Sequence, residues 1–207
     1  MNIGIIGTGN VGATLGTRFA QLGHPVAFGS RKPDSPEMAK LAGQSNSRVA
    51  SPREAAQSAE VVVLATPWQS TAEALRGLGD LTGKIVFDCT NPLKADLSGL
   101  ELGTTTSAAE QVAEWAAGAR VVKIFNTVGF GVMAKTAFGS EAPTMFYCGD
   151  DVPAKGVARD LAAQMGFDPV DAGPLRQARL LEPLALLWIS LALGGQGVNI
   201  AFKLMHR

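Results

Sequence analysis

Short apolar runs alternate with stretches of helical spacing along the chain. The runs predict strands at 2–6, 26–29, 61–65, 85–88, 121–125 and 144–148, with a weaker strand at 168–171. Most are apolar at nearly every position, as expected for strands that are buried on both faces of a parallel sheet. Helices are predicted at 11–22, 52–58, 71–76, 108–115, 154–165 and 178–193. This alternation predicts an α/β fold with a doubly wound, mostly parallel sheet.

Hydroxyl residues are placed to cap several of the predicted helices. Ser51, Ser70 and Ser107 each precede a helical stretch, where a side-chain oxygen can accept from a free backbone amide. The run Ser51-Pro52-Arg53-Glu54 is typical of a capping box with proline at the first helical position.

The carboxyl-terminal part is the most apolar. Residues 180–193 and their continuation to Met205 form an apolar run that is interrupted by Glu182, Pro183, Gly194, Gly195, Gln196, Gly197 and Asn199. These interruptions favour a buried helix pair or a homodimer surface over a membrane span. The expected organisation is a main unit at residues 1–172 and a small helical extension at residues 173–207.

Composition excludes several classes of protein. Of 207 residues, 46% are hydrophobic and 17% are charged, so the chain is not intrinsically disordered. Eighteen basic residues balance eighteen acidic ones, which leaves no global positive field for nucleic acid or anionic lipid. Cys89 and Cys148 are expected to be reduced core thiols, and together with His24 and His206 they are too scattered for a metal site. The first strand begins at once, without a secretory signal, so a cytoplasmic location is expected.

The first strand runs directly into Gly7-Thr8-Gly9-Asn10-Val11-Gly12, a GxGxxG turn that opens a helix. In a dinucleotide-binding turn the first glycine permits the tight bend, the second lets the backbone approach the pyrophosphate, and the third lets the helix pack against the strand. The helix N-terminus then faces the phosphates. Because the strand-turn-helix context distinguishes this motif from an ordinary glycine turn, these six residues are predicted to bind a dinucleotide in a Rossmann-type fold.

The end of the second strand indicates which dinucleotide. Proteins that bind NAD place an acidic residue there for the ribose 2′-hydroxyl, whereas this chain has Ser30, Arg31 and Lys32. A hydroxyl and two cations suit a 2′-phosphate, which Arg31 could grip with two hydrogen bonds. The predicted cofactor is therefore NADP(H). A solvated basic loop is the alternative to a phosphate site. Asp34 could in principle replace the missing acid, but it follows Pro33 and lies late in the loop.

Three further strand ends carry candidate ligand contacts. In an open α/β sheet, ligands bind beyond the carboxyl ends of the strands. The nicotinamide half of the cleft is therefore expected to be lined by Thr66, Pro67, Trp68, Asn91, Pro92 and Asn126. Asn126 could hydrogen-bond a carboxamide or a second ring. Structural roles compete at each position, since the prolines can shape turns, Trp68 can pack and Asn126 can cap a loop.

No side chain stands out as a proton donor for carbonyl chemistry. The single tyrosine, Tyr147, is not followed by a lysine one helical turn later, so the short-chain dehydrogenase arrangement is absent. His24 lies on a turn that leads away from the strand carboxyl ends and His206 is the penultimate residue, so surface or packing roles are expected for both. A flavin-like ring accepts hydride on a ring atom and needs little acid-base help. The catalytic side chain stays unassigned.

Taken together, these motifs resemble the NADPH-dependent F-420 reductase family, whose members pass hydride between NADP and the deazaflavin coenzyme F-420. The chain is also similar to the cytosolic oxidoreductase domain of the STEAP metalloreductases. The resemblance rests on the glycine turn, on Gly29-Ser30-Arg31, and on residues 88–93, 123–127, 171–175 and 178–184. It implies an NADP(H)-dependent oxidoreductase whose C-terminal helices complete a pocket for the second ring and can form a homodimer interface.

The leading hypothesis is a soluble reductase that transfers hydride from NADPH to a flavin or deazaflavin, with F-420, FMN and FAD left open as acceptors. One alternative is a non-catalytic NADPH sensor that regulates a partner. Another is an NADP-dependent reductase of a small imine or carbonyl, although relatives of that kind usually carry a large helical substrate domain, for which few residues remain after Gly173.

Overall fold

The computed structural model describes all 207 residues, Met1–Arg207. Its strands are β1 (Ile3–Ile6), β2 (Val26–Gly29), β3 (Ser47–Ala50), β4 (Val61–Leu64), β5 (Ile85–Asp88), β6 (Arg120–Lys123), β7 (Thr144–Gly149) and β8 (Asp168–Asp171). Its helices are α1 (Asn10–Gln21), α2 (Pro36–Ala42), α3 (Pro52–Gln57), α4 (Trp68–Gly77), α5 (Ala108–Trp115), α6 (Phe130–Ala134), α7 (Val152–Gln164) and α8 (Ala178–Leu191).

The eight strands form one sheet in the order β3-β2-β1-β4-β5-β6-β7-β8. All neighbouring strands are parallel except β6 and β7, which pair antiparallel. The order of the first six strands is that of a doubly wound dinucleotide-binding sheet. The predicted fold class is confirmed, and the carboxyl ends of β1 to β6 lie along one edge, which we call the carboxyl edge.

The hydrophobic core lies on both faces of the sheet. Successive strand residues point to opposite faces, so Val63 and Phe87 contribute to one cluster while Val62 and Val86 contribute to the other. Buried residues of α1, α2, α6 and α7 complete the first cluster, and those of α3, α4, α5 and α8 complete the second. The continuous apolar strands of the sequence reflect this two-sided burial.

Several local expectations change in the structure. The helices α2 and α6 and the edge strand β3 are absent from the sequence prediction. Helix α4 begins at Trp68 with Pro67 as its N-cap, so the expected start at residue 71 with Ser70 as cap is wrong. Ser107 caps α5 as expected, and the predicted capping box is confirmed because the Ser51 hydroxyl accepts from the Glu54 amide while the Glu54 carboxylate accepts from the Ser51 amide.

The chain after α8 does not form a second helix. One widened helical turn, Ala192–Gln196, follows α8. Gly195 within it and Gly197 directly after it have positive φ angles of 107° and 73°, and the helix stops there. Residues 197–207, here called the C-terminal strap, then run without helix to the end of the chain. The backbone amide of Thr144 donates to the Phe202 carbonyl at 2.9 Å, which joins the strap to β7. The expected helix pair is therefore wrong, because the glycines permit a conformation that ends the helix.

Helix α8 has one buried and one exposed face. Leu181, Glu182 and Ala185 are buried, whereas Leu180 and Leu187 are 65% and 49% exposed. The stretch Leu175–Gln196 is long and apolar enough to cross a membrane by length and composition alone. The core helix of a soluble protein meets the same two criteria.

Candidate functional site

The glycine turn after β1 has the geometry of a phosphate-binding turn. Gly7 has a φ of 96°, and a Cβ added there would lie 2.4 Å from the Ala65 carbonyl oxygen. A Cβ added at Gly12 would lie 1.8 Å from the Gly7 carbonyl oxygen, whereas one at Gly9 would meet nothing within 4 Å. Gly7 thus permits the bend against β4, Gly12 permits close packing, and Gly9 leaves its side open for a ligand.

Helix α1 presents free backbone amides at this turn. Its N-cap is Gly9, and no side chain caps its first turn. The first amides of a helix have no partner within the helix and carry a partial positive charge, so they bind phosphate well. Together with the open side at Gly9, these amides fit the pyrophosphate of a dinucleotide.

The loop after β2 lies beside the glycine turn on the carboxyl edge. The Ser30 amide donates to the Ala50 carbonyl at 2.9 Å, and the Ser30 hydroxyl accepts from the Lys32 amide at 3.0 Å. Arg31 and Lys32 are exposed and form no salt bridge. Both cations are therefore available to a 2′-phosphate, and no acidic residue occupies the strand end.

Hydrogen bonds and ring stacking hold the turn after β4. The hydroxyls of Thr66 and Thr71 lie 2.8 Å apart, and Thr71 also donates to the Pro67 carbonyl at 3.0 Å. Trp68 stacks on Trp115 with ring centroids 5.3 Å apart and an interplanar angle of 24°. The packing role that competes with ligand contact at Trp68 is therefore present in the structure, while Thr66 and Pro67 shape the edge beside Gly7.

Asn91 and Asn126 bind each other across the ends of β5 and β6. Asn91 Nδ2 donates to the Asn126 carbonyl at 3.0 Å, and Asn126 Nδ2 donates to Asn91 Oδ1 at 3.0 Å. Asn126 Nδ2 also donates to the carbonyl of Leu181 in α8 at 3.1 Å. We call this reciprocal pair the asparagine clasp. It brings two of the predicted cleft residues together and attaches both to the C-terminal helix, and the neighbouring Pro92 is buried.

Asp88, Lys123 and Glu182 form a buried ion cluster close to the asparagine clasp. Lys123 Nζ lies 2.9 Å from Asp88 Oδ2 and 2.8 Å from Glu182 Oε1, and all three side chains are 0–1% exposed. Lys123 also donates to the Thr90 carbonyl, and Asp88 Oδ1 accepts from the amide and hydroxyl of Thr90. The cluster therefore fixes the turn that carries Asn91.

Glu182 extends the cluster to the N-terminus of α5. Its carboxylate accepts from the amides of Ala108 and Ala109 at 2.9 and 3.2 Å, which places a negative charge where the helix dipole favours it. Burial alone would lower the pKa of Lys123, but the charges of Asp88 and Glu182 outweigh it and raise that pKa above its ordinary value. The lysine is therefore held as a cation beside the asparagine clasp.

The sequence prediction missed this cluster. Its members are 35 and 59 residues apart along the chain, so no local spacing connects them. A usable signal was present, because Asp88 ends an otherwise apolar strand, Lys123 follows two valines in β6 and Glu182 interrupts a largely apolar helix. Charged residues in such positions are almost never buried unless they are paired.

The fold and the site define a dinucleotide-binding oxidoreductase. The family model described as NADP oxidoreductase, coenzyme F-420-dependent, matches residues 2–92. The F-420-dependent NADP reductase of Methanothermobacter thermautotrophicus is 29% identical over 222 residues, covering 100% of this chain and 95% of that protein. A provisionally named F-420-dependent NADP reductase from Arthrobacter sp. FB24 has a crystal structure that matches with a TM-score of 0.90 and 33% identity over 100% of both chains.

The chain belongs to the F-420-dependent NADP oxidoreductase family, and it is an NADP-dependent reductase. Metalloreductase STEAP3 of Rattus norvegicus is 33% identical over 208 residues, which cover 97% of this chain and 40% of that protein. The chain thus spans about two fifths of the length of this metalloreductase. A reductive aminase from Aspergillus terreus matches with a TM-score of 0.67 at 19% identity over 62% of its length, which is a likeness of fold alone.

Proposed function

We propose that the protein transfers hydride between NADP(H) and a deazaflavin of the coenzyme F-420 type, with FMN and FAD as the competing acceptors. The observation that carries the proposal is the match with the Arthrobacter structure over the full length of both chains. That match includes α8 and the C-terminal strap as well as residues 1–172, here called the nucleotide half. The Methanothermobacter reductase, which is named for both cofactors, supports it over 95% of its own length.

The proposed NADP(H) site runs along the carboxyl edge. Gly7 and Gly12 shape the turn, while Thr8, Gly9, Asn10 and Val11 hold the pyrophosphate and Ser30, Arg31 and Lys32 hold the 2′-phosphate. The wall of the nicotinamide half is formed by Thr66, Pro67, Trp68, Asn91, Pro92 and Asn126. When bound, the nicotinamide supplies or accepts the hydride. The contribution of the chain is to orient the nicotinamide against the second ring.

The titratable groups beneath the proposed cleft are paired with one another, two carboxylates sharing one lysine. Asp88 and Glu182 are both paired with Lys123, whose pKa is raised. A fully satisfied buried network of this kind rigidifies the structure around it, and the raised pKa of Lys123 disfavours release of its proton. This supports an acceptor ring that needs little acid-base help from the protein over a substrate that requires a side-chain acid.

Residues 173–207 are proposed to complete the cleft next to the unit formed by residues 1–172. The carbonyl of Leu181 accepts from Asn126 and the carboxylate of Glu182 binds Lys123, so α8 contacts the cleft wall directly. The proposal includes a homodimer that covers the exposed outer leucines of α8, since exposed apolar patches often mark protein interfaces. A cytoplasmic location is part of the same proposal.

The test offers NADPH with coenzyme F-420, FMN, FAD or a cyclic imine in separate reactions and follows the absorbance of NADPH. Turnover with F-420 that exceeds turnover with FMN and FAD is expected. Consumption of NADPH only with a cyclic imine would favour the imine reductase alternative. Tight binding of NADPH without consumption by any acceptor would favour the sensor alternative.

The phosphate-binding part is tested separately by Arg31→Ala. Removal of a charge-assisted contact to the 2′-phosphate is expected to weaken NADPH binding at least tenfold, about 1.4 kcal/mol, with little effect on NADH. Arg76→Ala, at an exposed position on α4, is the matched control and is expected to leave both affinities unchanged. Equal losses for NADPH and NADH in the Arg31 variant would contradict the 2′-phosphate assignment.

A further inference from the structure

Two neighbouring oxygens after β6 make no hydrogen bond within the protein. They are Asn126 Oδ1 and Thr127 Oγ1, and the two residues are only 5% and 1% exposed. Most buried polar atoms in folded proteins are hydrogen-bonded, because an unpaired one costs free energy. The pair is therefore a candidate for contact with a bound molecule.

The surrounding contacts determine which atom of the Asn126 amide is free. Asn126 Nδ2 donates to Asn91 Oδ1 and to the Leu181 carbonyl. Because both partners are acceptors, rotating the amide would place oxygen against oxygen. The free atom is thus a carbonyl oxygen, which only accepts, whereas the Thr127 hydroxyl can donate as well as accept.

The backbone that leads into the two residues is strained and tightly held. Phe125 has a φ of 61° and is buried, and a bulky residue rarely adopts this left-handed conformation. The rings of Phe19, Phe87 and Phe167 pack around it with centroids 6.1, 6.4 and 6.2 Å away. Strain that surrounding packing maintains in this way is concentrated at ligand-binding sites.

The chemistry of the turn matches a primary carboxamide. An accepting oxygen next to a donating hydroxyl complements an NH2 group next to a carbonyl oxygen. We infer that Asn126 Oδ1 accepts from the carboxamide NH2 of the nicotinamide while Thr127 Oγ1 donates to the carboxamide oxygen, which fixes the orientation of the ring. The inference rests on the proposed function, which places NADP(H) along this edge. Thr127 is not among the residues predicted from the sequence.

The first test compares Thr127→Val with Ser47→Ala. Ser47 Oγ is the matched control because it is also a buried hydroxyl oxygen without a partner. It lines a hollow of about 390 Å³ where β1, β2 and β3 begin, at the opposite edge of the sheet. Thr127→Val is expected to weaken NADP⁺ about tenfold and to leave 2′,5′-ADP, which lacks the nicotinamide, unchanged. Ser47→Ala is expected to change neither affinity.

Two results with Thr127→Val would overturn the inference: NADP⁺ affinity equal to that of the wild type, or an equal loss for NADP⁺ and 2′,5′-ADP, which indicates a structural defect. The wild-type protein provides a second test that does not depend on a variant that folds. It is expected to bind the 3-acetylpyridine analogue of NADP⁺, in which a methyl replaces the NH2, about tenfold more weakly than NADP⁺.

Equal affinity for NADP⁺ and the analogue would contradict the role of Asn126. The inference and the proposed function fail in different ways. If the wild type binds neither NADP⁺ nor 2′,5′-ADP, the nucleotide site itself is wrong and the carboxamide contact is wrong with it. If the wild type binds both and shows no discrimination at the carboxamide, only the inference is overturned.

Discussion

Gly9 and Gly12 are both glycines of the same turn, but one has open space beside it and the other is tightly packed. Substituting each by alanine therefore separates effects on NADPH binding from effects on stability. An added Cβ at Gly9 meets nothing, whereas one at Gly12 overlaps the Gly7 carbonyl oxygen. Gly9→Ala is expected to change the free energy of unfolding by less than about 1 kcal/mol and to weaken NADPH, because the methyl group occupies the side proposed for the pyrophosphate.

Gly12→Ala is expected to lower the free energy of unfolding by about 1–3 kcal/mol or more, because backbone has to shift to admit the methyl group. Urea unfolding and NADPH titration of both variants measure the two effects. Wild-type NADPH affinity in Gly9→Ala would show that the open side of Gly9 does not face the ligand.

The two cysteines provide a prediction about ionisation. Burial raises the pKa of Cys148 to about 12, and burial together with the nearby Asp88 charge raises the pKa of Cys89 further. The reactive thiolate forms only as pH rises through the pKa, so at about pH 8 both thiols stay protonated. A disulfide reagent such as DTNB is expected to label neither thiol in the native protein and both after unfolding. Rapid labelling of one native thiol would contradict this burial.

For single residues, the sequence predicts those whose role depends on their neighbours in the chain. The GxGxxG turn and the Ser30-Arg31 pair are examples, because each comes directly after a predicted strand. The asparagine clasp and the ion cluster do not, because their partners come from β5, β6 and α8. The proposed role of Thr127 has no signal in the sequence, because a threonine beside a strand has no distinguishing pattern until its burial is known.

Among the elements, α8 depends on Lys123 for its attachment to β5 and β6. Lys123→Met removes the only cation of the cluster and leaves two buried carboxylates near each other, so the free energy of unfolding is expected to fall by about 3–5 kcal/mol at neutral pH. Thermal or urea unfolding measures the loss. Lys135→Met, at an exposed position without a salt bridge, is the control and is expected to change stability by less than about 0.5 kcal/mol.

The pH dependence of the Lys123 variant has a defined sign. Without the cation, two buried carboxylates lie near each other, and burial and mutual repulsion both disfavour their charged forms. Protonation relieves both costs, so the difference from wild type is expected to shrink as pH falls toward about 4. A difference that grows on acidification would contradict the proposed charge arrangement.

Element prediction succeeded where burial is two-sided and failed at the periphery. The apolar strands and the serine caps of α3 and α5 were readable from local sequence. Strand β3 has the sequence SRVA at the sheet edge and is only partly buried, so it lacks a continuous apolar run. Helices α2 and α6 have seven and five residues, too few for a clear helical period. The segment after α8 was expected to form the second helix of a pair, although its glycines favour helix termination.

In the whole molecule, the nucleotide half and the C-terminal segment form a connected structure. Arg179 of α8 donates to the Glu110 carboxylate of α5 at 2.6 and 2.9 Å, and this hydrogen bonding lowers the pKa of Glu110. The strap returns to β7 through Thr144 and Phe202. Elements on both sides of the proposed cleft are therefore held in fixed relation, as alignment of two rings requires.

The fold class and the family could be predicted from the sequence because they rest on motifs that repeat at strand ends. The acceptor could not, since a pocket for a second ring is assembled from elements distant in the chain and no local motif reads the acceptor. Asp88 and Glu182 are both paired with Lys123, which supports the proposed ring acceptor over a substrate that requires a side-chain acid.

Direct transfer of deuterium tests the central claim most directly. NADPH carrying deuterium at both C4 positions is incubated with the protein and coenzyme F-420, and the reduced deazaflavin is analysed by mass spectrometry. Direct hydride transfer predicts that each reduced deazaflavin gains a single deuterium from the nicotinamide. Unlabelled reduced deazaflavin, or no consumption of NADPH in the presence of F-420, would contradict the account.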